Sequence, residues 1–209
     1  AFDVEAGVTY LVGHSLGPAS HNSLDAIEQA ARYDWRRGLV RSWNEAGWFD
    51  LAETTGRQLS RLIGAREGEV LVADSVSSNL FKLAAGAKAA AKSPLLIVEA
   101  DEFPTDQYIL ESLAGLSGRD FRRAEPGAGL EALRESGGTL VRSLVNYRTS
   151  EVRDMAGEEK IAAEAGGVII WDLSHATGVI EIQAARNGAR LATGGTYKYL
   201  NGGPGAPGF

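Results

Sequence analysis

The sequence predicts an α/β fold, a mainly parallel sheet flanked by helices. Five short apolar runs recur along the chain, and segments with helical spacing separate them. Strand, helix, strand, helix is the order of a sheet built from crossover units. The runs are continuously apolar rather than alternating, which fits strands covered on both faces. At 209 residues and 44% hydrophobic content the chain can bury one sizeable core.

Residues 23–38 read as a helix by their apolar spacing, with Asn22 or Ser23 as cap. Residues 49–63 read as a second helix, stopped by Gly64. The apolar runs follow at 69–73, 95–99, 139–145, 167–171 and 189–193. Helical patterns occupy 78–92, 105–116, 129–136, 157–165 and 182–187. The organisation expected is an N-terminal segment with a helix, 1–50, and a large domain, 51–209. The chain opens on Ala1 and closes on a Gly-Pro loop, so it reads as a piece of a longer protein.

Bulk composition narrows the function classes. A net charge of -6 opposes general nucleic-acid binding. The chain holds no cysteine, which excludes disulfides and thiolate metal sites and fits a reducing, cytoplasmic compartment. No apolar run approaches the roughly 18 residues of a membrane span. No metal site is expected, because His14, His21 and His175 lack ligand spacing.

Ligands in open parallel sheets bind beyond the carboxyl ends of the strands. Each run is followed there by chemically capable residues: Asp74 to Ser78, Asp101 to Asp106, Asn146 to Thr149, Asp172 with His175, and Tyr197 with Lys198. Lys198 is one of five lysines and the one set between glycine pairs, in Thr193-Gly-Gly-Thr-Tyr-Lys198-Tyr-Leu-Asn-Gly-Gly203. A lysine in a dry, packed setting can serve as a Schiff-base former rather than a solvated charge. Lys82, Lys88, Lys92 and Lys160 lie on polar or Ala-rich helices and read as solvated.

If Lys198 is that amine, the cofactor is pyridoxal 5'-phosphate, and a carboxylate must pair with its ring nitrogen. Asp172, at the mouth of a buried strand, fits that need, although it fits a helix N-cap equally well. Ser77 and Ser78 suit either a helix cap or phosphate oxygens. Phe103, before a Pro104 helix start, suits either the core or a ring face.

Taken together, Asp74-Ser-Val-Ser-Ser78, Glu102-Phe-Pro-Thr-Asp106, Val145-Asn-Tyr-Arg-Thr149, Trp171-Asp-Leu-Ser-His175 and Thr196-Tyr-Lys-Tyr-Leu-Asn201 resemble kynureninase. That family has the fold-type I large domain of pyridoxal phosphate enzymes and is related to the class V aminotransferases. The resemblance runs the length of the chain and extends to Tyr10-Leu-Val-Gly-His-Ser-Leu-Gly17 and Ser42-Trp-Asn-Glu-Ala-Gly-Trp-Phe49. It implies hydrolysis of L-kynurenine to anthranilate and L-alanine in tryptophan catabolism, with kynurenine or its 3-hydroxy form as the small-molecule substrate. It implies a cytoplasmic homodimer.

Carried over by motif, Lys198 would hold the cofactor and move a proton, and Asp172 would pair with the ring nitrogen. Val76 and Ser77 would contact the phosphate region, and Phe103 would stack on the ring. Pro104, Thr105, Asp106, Ser143, His175 and Tyr197 would complete the shell, with Tyr197 also relaying a proton. Ser15 would approach the substrate.

The chain departs from the family pattern at Val12 and His14, where Asp and Asn are usual, and at Ser150, where Gly is common. The family chain is also about twice as long, with a C-terminal small domain and a carboxylate-binding arginine in the missing half. The resemblance therefore implies that these residues alone are inactive. Two other readings are a cysteine desulfurase, which needs a nucleophilic cysteine, and a non-catalytic homologue serving as a binding module.

Overall fold

The computed structural model describes Phe2 and residues 4–209; Ala1 and Asp3, at the head of the expected 1–50 segment, lie outside the described residues. Its centre is a five-stranded sheet of order β2-β1-β3-β4-β5. The strands are β1 Leu96–Glu99, β2 Phe121–Ala124, β3 Thr139–Ser143, β4 Val168–Asp172 and β5 Leu191–Thr193. All four pairings are parallel. The helices are α1 His21–Gln29, α2 Ser42–Glu45, α3 Leu51–Ile63, α4 Val76–Ala87, α5 Pro104–Ser117, α6 Gly129–Ser136 and α7 Met155–Ala165.

Alternate strand residues point to opposite faces, and both faces are covered. Leu96, Val98, Val141 and Ile170 pack with Leu80 of α4 and Leu110 of α5. Ile97, Leu140, Ile169 and Trp171 pack with Leu133 of α6 and Leu59 of α3. That double coverage is why β1 and β4 read as continuous apolar runs.

Helix ends follow local chemistry. The Ser20 side chain accepts from Ser23 N to open α1, and Ser75 accepts from Ser78 N to open α4. The cap of α4 is therefore Ser75 rather than Ser77 or Ser78, and the helix ends at Ala87, short of 92. Pro104 occupies the first turn of α5, where a missing N–H costs nothing. Beyond α1 the expected 23–38 helix continues as π-helix, Ala30–Gly38. The 49–63 helix begins with a 3-10 turn, Trp48–Asp50.

Three readings of the sequence are corrected. Residues 69–73 do not join the sheet: Ala73 N bonds to Gly208 O, and Gly208 N to Asp74 O, which is too little pairing to make a ladder. Residues 182–187 form turns rather than a helix. The N–H groups of Ala184 and Ala185 donate to Ile63 O and Gly64 O at the end of α3, and Gln183 takes φ 55. The third correction adds β2, an edge strand whose Arg122 and Arg123 face solvent and hide any apolar signature.

Candidate active site

The carboxyl ends of the strands bring the chemistry together. Ser143 and Asp172 are register partners at the ends of β3 and β4. By alternation both share the face of Val141 and Ile170, the face that α4 and α5 cover. The lysine loop follows β5. It is tied to the end of β4 by a hydrogen bond from Gly195 N to Ser174 Oγ.

Lys198 is buried, with 7% of its surface exposed. Its Nζ lies 2.9 Å from His175 Nε2. It sits 5.5 Å from the Phe103 ring centre and 5.7 Å from that of Tyr197. Burial pulls the amine below the usual lysine range, while the charges of Asp172 and Asp106 act in the opposite direction. Burial, then the Lys198 charge, holds His175 below the usual histidine range, so its imidazole is disposed to be neutral.

The carboxylates facing the amine are unusually exposed to one another and hidden from water. Burial, then the charges of Asp172 and Glu102, push Asp106 up to about 8. One of its oxygens is buried without any hydrogen-bond partner. Asp172 accepts from Ser174 N at 2.8 Å through Oδ1, so it serves the following turn as a cap with one oxygen only. Burial also raises Tyr197 above the usual phenol range, with Asp172 and Asp106 adding to the shift.

The other expected residues fall around this centre with varying closeness. Phe103 is the residue before α5, half-buried, and its ring meets Tyr147 edge-on at 5.3 Å. Thr105 is half-buried and Pro104 exposed in the first turn of α5. Val76 and Ser77 open α4, where the first N–H groups lack partners within the helix. A methyl group built on Gly195 would meet Tyr197 Cε1 at 3.0 Å and Val76 Cγ2 at 3.5 Å, so Gly195 lies between the Tyr197 ring and the start of α4. The Ser143 hydroxyl donates to Glu102 at 2.6 Å. Ser15 is exposed, and its backbone N–H closes a turn onto Val12 O.

Glu102, Asn146 and Tyr147 join the site without any motif that assigns them a role. Glu102 is buried, raised by burial, and accepts from both Ser143 N and Ser143 Oγ. Asn146 bonds to Asp101 Oδ2 at 3.1 Å and accepts from Arg148 N and Thr149 N, which shapes the loop after β3. That loop delivers Tyr147, which stacks on His175 with ring centres 6.4 Å apart. All lie in strand-end segments the sequence had marked, and strand-end position was the available signal.

Pyridoxal phosphate fits these residues on two observations. An amine, an imidazole and an aromatic face converge, and a buried carboxyl cluster with an orphaned oxygen stands opposite, with Lys198 the cation that acts on Asp106 and Asp172. Among the described residues no group of three or more His, Asp or Glu side chains is placed to hold a metal ion. Among them, too, no helix is long and apolar enough to cross a membrane.

Comparison with known proteins yields no matching family model. Kynureninase from Pseudomonas fluorescens is 40% identical over 216 residues, which cover 100% of this chain and 52% of that protein. Kynureninases from Burkholderia pseudomallei strain K96243 and Burkholderia mallei strain ATCC 23344 give the same identity and coverage. The chain thus spans about half the length of the curated relatives it matches. Among solved structures, the cysteine desulfurase CsdA from Escherichia coli matches with a TM-score of 0.76 at 15% identity, over 95% of this chain and 52% of that one. A cystine C-S lyase in complex with cysteine persulfide matches with a TM-score of 0.80 at 14% identity, over 97% of this chain and 56% of that one. At such identities the structural likeness shows the fold alone.

Proposed function

We propose that this chain, a relative of the kynureninases along its whole length, is the cofactor-binding part of an enzyme that hydrolyses L-kynurenine to anthranilate and L-alanine. The observation that carries the reading is the buried Lys198 amine set 2.9 Å from His175 and facing an excess of carboxylates. The 3-hydroxy form of kynurenine is a substrate of the same class. The 1–50 segment and the 51–209 large domain are the organisation this reading adopts.

Pyridoxal phosphate supplies an electron sink for the electrons left when a bond beside the substrate's amino-bearing carbon breaks. The residues of this chain supply the rest. Lys198, held below the usual lysine range, keeps more of its amine unprotonated and nucleophilic near neutral pH. His175, 2.9 Å away, gives the amine a hydrogen-bond partner that holds it in place. Asp172 keeps one oxygen free of its cap bond and would pair with the ring nitrogen. Asp106 would lie beside it.

Phe103 would cover the ring face, while Pro104 and Thr105 fix the start of α5 behind it. Val76, Ser77 and Tyr197 would hold the phosphate at the start of α4, where backbone N–H groups and the helix dipole favour an anion. Tyr197, raised above the usual phenol range, keeps its proton at neutral pH and can donate it. Ser143 braces Glu102 rather than reaching outward, so its place in the shell is one of support. Ser15 would approach the substrate. In the overall reaction one water adds its hydroxyl to the carbonyl carbon that becomes the anthranilate carboxyl, and hydrogen goes to the carbon that becomes the alanine methyl.

A homodimer is part of the proposal. No residue of α1 or of the π-helix after it is buried. Trp35, Val40 and Phe49 are largely exposed, Val40 and Phe49 at 77%. A cavity of about 640 Å³, lined by Trp48, Leu51, Leu59, Leu200 and Pro207, adjoins this surface. Apolar surface on this scale marks an interaction face, and a twofold pair would cover it symmetrically. The absence of cysteine supports a cytoplasmic location.

Anthranilate fluorescence, followed after adding pyridoxal phosphate and L-kynurenine to the longer protein, tests the activity. Release of equal amounts of anthranilate and alanine is expected. Conversion of cysteine to alanine with no anthranilate would overturn the substrate assignment in favour of a desulfurase. The 209 residues alone are expected to bind the cofactor without releasing anthranilate.

A further inference from the structure

We propose that Gly17 and Asn201 form a latch by which the N-terminal strap, residues 10–18, fixes the backbone that carries Lys198. Both are positioning residues for the amine. The proposal rests on the reading of Lys198 as the cofactor-binding lysine.

The strap and the lysine loop touch through backbone rather than through exchangeable side chains. Gly17 N donates to Tyr197 O at 2.9 Å. A methyl group built on Gly17 would lie 2.1 Å from Lys198 O and 2.9 Å from Asn201 Cα, so no side chain can stand there. From the other side, Asn201 Nδ2 donates to Pro18 O at 2.7 Å. Asn201 takes φ 60, the left-handed conformation that asparagine tolerates better than most residues. Its backbone N–H closes onto Lys198 O at 3.0 Å. The carbonyls of residues 197 and 198 are both held, one by each side of the latch.

The strap has internal support. Tyr10 OH donates to Leu16 O at 2.7 Å, and Ser15 N and Leu16 N both close onto Val12 O. Gly13 lies against the Tyr199 ring, where a methyl would make ordinary contact at 3.6 Å. The same strap carries His14, which lies close to His175, the partner of the Lys198 amine.

A site geometry is set by the origin of each side chain as much as by its tip. The Lys198 Cα lies between two latched carbonyls, and its Nζ meets His175 within hydrogen-bond distance. Displacing the loop by the space a Gly17 side chain needs would break that contact and admit water to the amine. An amine released to water returns toward the ordinary lysine pKa.

The test uses the cofactor-free full chain. The rate at which Lys198 reacts with an amine-labelling reagent is read by peptide mass spectrometry as a function of pH, beside circular dichroism and thermal unfolding. The parent protein is expected to show a midpoint below that of Lys160, which serves as an internal solvated control. Gly17→Ala should raise the Lys198 midpoint by about one pH unit. Asn201→Gly keeps the left-handed backbone and loses only the Pro18 contact; it should raise the midpoint by a smaller amount. If Gly17→Ala fails to fold, Asn201→Gly decides alone. Parent-like Lys198 midpoints in folded variants would overturn the latch. Failure of the lysine assignment is read separately, by a Lys198→Ala variant that still develops visible absorbance with pyridoxal phosphate.

Discussion

Glu99 and Glu102 lie three residues apart and are both fully buried, yet they sit in opposite electrostatic settings. Glu99 belongs to a balanced cluster. It accepts from Gly129 N at 2.7 Å, from Arg142 at 2.9 Å and from Arg153 at 3.3 Å. Arg142 also meets Glu158 at 2.8 Å. Two carboxylates face two guanidinium groups on the α6 and α7 side of the sheet. Glu102 belongs to an unbalanced cluster. With Asp106 and Asp172 it places three carboxyl groups on the α4 and α5 side; Lys198 acts on Asp106 and Asp172, while burial and the charges of Asp172 and Glu99 raise Glu102 with no cation opposing them.

The difference separates a structural network from a site. Buried charges with matched partners lock elements together. Buried carboxyls in excess of their cations either keep protons or await a positively charged ligand. A ring nitrogen that must stay protonated is such a ligand.

Breaking each cluster should therefore give opposite results. Arg142→Met strands Glu99 and Glu158 and should cost about 3–5 kcal/mol in urea unfolding; a loss below about 1 kcal/mol would mean the network is not balanced as described. Asp106→Asn should stabilise the cofactor-free protein at pH 8.5, by an amount on the order of a few kcal/mol. A carboxyl raised to about 8 binds its proton more tightly folded than unfolded, so its folded state loses stability as pH rises from 3.8 toward 8. Asparagine removes that slope, so the gain should vanish near pH 4. Equal stability of variant and parent at both pH values would contradict the raised pKa.

Asp172→Asn should weaken pyridoxal phosphate binding about tenfold, equivalent to roughly 1.4 kcal/mol, with little change in thermal midpoint. A large drop in stability with unchanged affinity would assign Asp172 to capping alone. The smallest effect is expected for Tyr147→Phe, which keeps the ring that stacks on His175. Cofactor affinity within twofold of the parent is expected by direct titration, and a larger loss would give the Tyr147 hydroxyl a contact of its own.

Much of this was legible in the sequence, for a physical reason. Strands covered on both faces leave continuous apolar runs, and a ligand site in such a sheet lies where those runs end. That position singles out Lys198, Asp172 and His175 as candidates, and the structure brings them to one end of the sheet. What escaped depended on contacts distant in sequence. The 69–73 run is apolar, but apolarity does not reveal whether a strand has a partner, and only Ala73 and Asp74 find one, in Gly208. The 182–187 pattern lost its helix because the end of α3 captures its N–H groups. β2 is a four-residue edge strand whose two exposed arginines separate Phe121 from Ala124, so no continuous apolar run marks it. Glu102 carries no local signal because its partner, Ser143, lies 41 residues away.

The central claim is that Lys198 is the amine that takes the cofactor. Visible absorbance after adding pyridoxal phosphate, followed by borohydride reduction and peptide mass spectrometry, tests it directly. A new band and a pyridoxyl mass increment on the peptide containing Lys198 are expected, both lost in Lys198→Ala. An unchanged band in that variant, or an increment on Lys82, Lys88, Lys92 or Lys160 instead, would contradict it.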